Sequence, residues 1–124
     1  MIISLKFLTG DMEKILVLSP GRQRYLIDLF KVYFEVYIGD NNDLILETYK
    51  EFTSLKMPLY GSEEYMDVLT SFICEHEINY VLTLSDIEVV VLSGNEVLLE
   101  NAGCHLIGLP YDKALLCLDK YLFY

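Results

Sequence analysis

The sequence predicts an α/β fold: a three-layer, doubly wound parallel sheet of about five strands. Three observations predict it. The run Ile15-Leu16-Val17-Leu18 is apolar without alternation and stops at Ser19-Pro20-Gly21, as a strand buried on both faces does when a tight turn ends it. Segments rich in β-formers then alternate with segments of helical period along the chain. The last two strand segments are separated by about eighteen residues, enough for the helical crossover that joins parallel neighbours.

Each element follows in order. After the first strand, Tyr25, Leu26, Leu29, Phe30 and Tyr33 recur at helical spacing with Asp28 and Lys31 between them, which predicts an amphipathic helix. Residues 34–38 form the second strand, closed by Gly39-Asp40-Asn41-Asn42-Asp43. Asn41, Asn42 and Asp43 suit a turn because their short polar side chains bond nearby backbone. Residues 44–52 make a short helix or irregular crossover, and residues 54–59 a weak third strand. Ser62 is a good N-cap, Glu63 and Glu64 suit the dipole of a first turn, and Met66, Leu69, Phe72 and Ile73 give the next helix its buried face. Residues 79–84 are the fourth strand, ending at Ser85-Asp86. Val89-Val90-Val91 prefers a strand, but the frame from Asp86 to the stop at Gly103 suits a helix, and the length of the gap decides for helix. Residues 104–109 are the fifth strand, closed by Pro110, and Asp112 caps a final short helix.

The chain of 124 residues carries nine Lys and Arg against nineteen Asp and Glu, a net charge of −10, with 53% hydrophobic residues. At this length it buries roughly two-thirds of its unfolded surface, enough for one domain without staples. The deficit of positive charge argues against binding nucleic acid or anionic lipid, since each such contact needs a Lys or Arg. Charge is uneven: residues 1–62 hold seven basic and eight acidic side chains, residues 63–124 two and eleven. Cys74, Cys104 and Cys117 are odd in number and lack C-x-x-C spacing, so neither a disulfide framework nor a metal knuckle is expected, and a reducing cytoplasm is the simplest setting. Cys74 with His76 and Cys104 with His105 offer two donors each, fewer than a metal site needs. No signal peptide opens the chain, and Asp86, Glu88 and Glu96 interrupt its richest apolar stretch, so no membrane span is expected.

Ligands of a doubly wound sheet bind beyond the carboxyl ends of its strands, so candidate residues are those at strand ends. The loop 19–24 lacks the second and third glycines of G-x-G-x-x-G, which disfavours a dinucleotide site. It does place Gly21, Arg22 and Arg24 where a helix begins. Cations there oppose the dipole, which points to an anion or acidic surface opposite them, or to local acids such as Asp40 or Asp86. Asp40 stands where a dinucleotide fold holds a ribose hydroxyl. Asp86 and Glu88, after the fourth strand, offer a carboxylate pair to the same cleft, or Asp86 caps the next helix. His76 and His105 have no evident acid–base partner, and G-x-S-x-G, P-loop and H-E-x-x-H motifs are absent.

The run from Ile15 to Leu26 resembles the opening of carbamoyl-phosphate-synthase-like and related ATP-grasp ligases, in which a strand, a Gly-Arg turn and a Tyr-Leu helix begin the chain. Further matches fall in order at Asp40, residues 62–78, residues 79–88, residues 96–103 and Leu118-Asp119-Lys120-Tyr121. The resemblance implies a Rossmann-like pre-ATP-grasp domain over residues 14–118, preceded by an N-terminal extension over 1–13. It implies that residues 119–124 start an ATP-grasp part, with Lys120 matching a nucleotide-phosphate contact. The expected function is a non-catalytic, substrate-side module of a carboxylate–amine ligase, its first and fourth strand ends forming one wall of the acceptor cleft. On this reading the 124 residues bind no cofactor themselves, and ATP and magnesium belong with an ATP-grasp domain supplied in cis or in trans. The alternatives are a stand-alone dimerisation module, favoured by the apolar residues between Leu115 and Tyr124, and a small nucleotide- or metabolite-binding domain.

Overall fold

A computed structural model describes residues 12–108. The N-terminal extension up to residue 11, the helix expected after Asp112, Cys117, Lys120 and the apolar residues 115–124 lie outside the described residues.

The five strands are β1 (Lys14–Leu18), β2 (Glu35–Asp40), β3 (Thr53–Lys56), β4 (Tyr80–Thr83) and β5 (His105–Leu106). The helices are α1 (Arg24–Tyr33), α2 (Asp43–Thr48), α3 (Tyr65–His76), α4 (Asp86–Ser93) and α5 (Glu96–Asn101). All strand pairs are parallel, in the order β3-β2-β1-β4-β5. This is the Rossmann-like arrangement that the sequence predicts. Its centre is β1, paired on both edges, and Ile15, Leu16, Val17 and Leu18 are fully buried.

Side-chain alternation along β1 feeds two cores. Ile15 and Val17 join Val36, Ile38, Ile27 and Tyr49 under α1 and α2. Leu16 and Leu18 join Tyr37, Tyr65, Leu69, Ile73, Leu92 and Leu99 under α3, α4 and α5. The helices therefore cover both faces, giving the three layers.

Several local expectations change. On α1 the buried face is Ile27, flanked by half-buried Leu26 and Phe30, while Tyr25, Leu29 and Tyr33 point outward. Apolar residues surround this helix, so spacing alone leaves its buried face undetermined, and the sheet selects Ile27. Ser62 caps a turn two residues too early to start α3: its hydroxyl accepts from Glu64 N at 3.1 Å, and Glu64 itself holds the cap position. The single helix expected after β4 is two, α4 and α5, divided at Gly94 and Asn95. The Asn95 amide donates to Val91 O at 2.8 Å, and its carbonyl accepts from Leu98 N at 3.0 Å, so one residue closes α4 and opens α5.

The carboxyl ends of the strands are level. Ser19 N donates to Gly39 O at 2.8 Å, Met57 N to Asp40 O at 2.9 Å and Leu84 N to Leu18 O at 3.0 Å. Gly39 is required there by close approach: a Cβ would sit 2.5 Å from the Leu18 Cδ2, inside a fully buried side chain. Gly39→Ala should lower the free energy of unfolding by about 1–3 kcal/mol through overpacking, read as a fall in the urea midpoint at unchanged slope.

Candidate functional site

The sheet order makes the carboxyl edge around β1 a switch point, because the chain leaves β1 toward α1 on one face and leaves β4 toward α4 on the other. Of the six strand-end residues singled out from the sequence, the fold commits the side chains of three, Glu88, Arg24 and Asp40, to internal partners.

Glu88, in the first turn of α4, is 6% exposed. Its Oε1 accepts from the Ser19 hydroxyl and its Oε2 from the Tyr65 hydroxyl at 2.5 Å. A carboxylate in such a place costs several kcal/mol unless donors replace its water, and two hydroxyls do so here. Ser19 bonds Glu88 from a left-handed backbone position, φ +54°, which a serine occupies only at some strain. The bond thereby holds the start of the β1–α1 loop. Burial and the bond to Glu88 push the Tyr65 hydroxyl far above the ordinary tyrosine value, so it remains a donor. Tyr65 is the residue that sequence reasoning missed. The available signal was a lone acid inside the apolar stretch Ile87 to Val91, which calls for a buried partner.

Arg24 is spent on one side of its helix. It pairs with Glu51 and with Asp28 at 3.3 Å, and its guanidinium lies 5.3 Å and 5.6 Å from the ring centres of Tyr49 and Phe52. The hydrogen bond that Glu51 accepts from Arg24 holds it below the usual carboxylate range, and donating that bond raises Arg24. The acids that answer Arg24 are thus Asp28 and Glu51 rather than Asp40 or Asp86. Asp40 accepts from Asn42 N at 2.8 Å, forming the turn that enters α2, where Asn42 in turn accepts from Leu44 N at 2.8 Å.

Arg22 differs from every other cation in view. Lys31, Lys50 and Lys56 form ion pairs, and Lys14 Nζ donates to His76 O at 2.9 Å. Among the described residues, Arg22 is the basic side chain with neither an ion pair nor a hydrogen-bond partner, and it is exposed. It lines an open cleft of about 630 Å³ between the β1–α1 loop and α2, together with Gly21, Asn42, Leu44, Ile45 and Tyr49. Gly21 turns the loop at φ +56°, with open space where a Cβ would stand, and its carbonyl accepts from the Tyr49 hydroxyl at 3.0 Å. Asp86, the first residue of α4, is exposed, also without an ion pair among the described residues.

The other candidates settle elsewhere. Ring contacts place His76 against Phe72 and Tyr37, and His105 edge-on to Tyr80. Among the described residues no three of His, Cys, Asp and Glu converge as a metal site, and no helix is long and apolar enough to cross a membrane.

The family model of the PylC-like N-terminal domain matches residues 15–107, and the chain belongs to that family, the pre-ATP-grasp domain of ATP-grasp ligases. No curated protein matches the chain.

Two measurements check the site's chemistry. The unfolded tyrosine titrates near pH 10 and the native Tyr65 well above it, so its contribution to stability is complete below about pH 10 and is lost as pH rises beyond that. Tyr65→Phe should flatten this alkaline loss in urea titrations. It should also lower stability at neutral pH by about 1–3 kcal/mol, because a buried carboxylate oxygen loses its donor. Separately, burial pushes the Cys104 thiol up to about 12 while Cys74 is exposed, so iodoacetamide on the native protein should label Cys74 and spare Cys104 until urea is added.

Proposed function

We propose that this domain is the substrate-side module of a carboxylate–amine ligase, and that Arg22 receives the carboxylate of the amine-bearing substrate. Membership of the PylC-like N-terminal domain family supports the ligase context. The observation that carries the role is Arg22, without a partner among the described residues, at the mouth of a cleft on the carboxyl edge of the sheet. An exposed guanidinium offers two parallel N–H donors to a carboxylate, the geometry suited to anchoring an amino acid by its acid end.

The division of labour follows from what each part offers. Residues 12–108 provide the anchoring cleft, and the handling of ATP and magnesium falls to an ATP-grasp domain, joined in cis or supplied in trans. Glu88 serves this role indirectly, by tying Ser19 and hence the loop that carries Arg22.

The test contrasts the two arginines of one loop. With alanine as the probe, amide shifts in an NMR titration should move at Gly21, Arg22 and Ile45. Arg22→Ala should weaken the association by about tenfold or more, the worth of a hydrogen bond to a charged group, while Arg24→Ala should leave it within about twofold. Equal effects of both substitutions, or none from Arg22→Ala, would show that the cleft does not use Arg22 as an anchor.

A further inference from the structure

The cleft beside Arg22 pairs one cation with a wall that offers few polar partners. Leu44 is 76% exposed and Ile45 half-buried, both on α2, and Tyr49 closes the inner end. The polar groups around them are largely engaged within the fold. The Thr48 hydroxyl donates to Ile45 O at 2.7 Å, the Tyr49 hydroxyl to Gly21 O at 3.0 Å, and the Asn42 oxygen accepts from Leu44 N at 2.8 Å. Arg24, though it lines the same cleft, is paired with Glu51 and stacked over Tyr49 and Phe52. A ligand therefore meets one charge and, next to it, aliphatic and aromatic surface, in a volume within the ordinary range of small-molecule sites.

Building on the reading above, we propose that the amino acid held by Arg22 carries a non-polar side chain, which lies along Leu44 and Ile45. A second carboxylate, as in glutamate, finds no second cation, because Arg24 is committed to Glu51. The ammonium of a lysine side chain finds no acid in the cleft, whose lining residues include neither Asp nor Glu. The cleft thus selects by what it fails to pair as much as by what it contacts.

Leu44 makes the inference testable, because its side chain is so exposed that replacing it leaves the packed core intact. NMR titrations of the 124-residue chain with glycine, alanine, leucine, phenylalanine, glutamate and lysine should rank leucine and phenylalanine at least about tenfold above glycine, the scale on which apolar pockets discriminate. Leu44→Asp should erase most of that advantage and leave glycine unchanged. If all six bind within about twofold of one another and Leu44→Asp has no effect, the side-chain preference is wrong while the anchoring role of Arg22 stands. If no amino acid moves the Gly21 and Arg22 resonances of the native chain, the anchoring role fails, and the preference with it.

Discussion

A carboxylate placed in a protein interior dictates much of what surrounds it, and Glu88 does so here. Its two oxygens must be answered by donors that stay protonated, and the fold supplies Ser19 from the end of β1 and Tyr65 from the start of α3. Those donors come from segments remote in sequence, so one charge joins the central strand, a helix of the α3 side and the first turn of α4. Removing either hydroxyl leaves a desolvated oxygen, and removing the carboxylate leaves two desolvated hydroxyls. The strained backbone of Ser19 persists because this bond and the one from its N–H to Gly39 O over-determine it.

The clip also decides where a ligand has room. On the β4 side of β1, Glu88 draws Ser19 and Tyr65 together. On the β2 side the loop turns at Gly21, and the chain opens onto α2. The first and fourth strand ends are thus neighbours as the switch point requires, but the described opening beside Arg22 lies between the first and second. Rigidity on one side and an open wall on the other follow from the same loop, held at Ser19 and free of a Cβ at Gly21. The turn between β2 and α2 is equally fixed, through Asp40, Asn42 and the contact of Lys56 with Asp43 at 2.8 Å, so the cleft is bounded by two pinned loops.

The strands were legible because a central parallel strand must be apolar on both faces, and the run from Ile15 to Leu18 admits few other readings. The order of the sheet was legible only as a class, from crossover lengths and turn positions. What escaped was orientation. Tyr25, Leu29 and Tyr33 have the spacing of a buried face, but so do Ile27 and Phe30, and only docking on Val17 and Ile38 distinguishes them. At the site, the sequence displayed Arg22, Arg24, Asp86 and Glu88 as equals. Their difference arises from partners far along the chain: Glu51 for Arg24, Ser19 and Tyr65 for Glu88. Pairings between residues 23 to 69 positions apart leave no local pattern, so no window on the sequence reveals which charge is left over.

Net charge then constrains what the remaining cation can hold. The chain carries −10 overall, so a single exposed arginine works against a negative field. A triphosphate with its several charges would need a cluster of cations to overcome that field, and the described residues gather none at the cleft, since Arg24 is neutralised by Glu51. A zwitterionic amino acid has no net charge to be repelled. Its carboxylate needs only one guanidinium. The same electrostatics disfavours a nucleotide at this edge and agrees with the amino-acid anchoring proposed for Arg22.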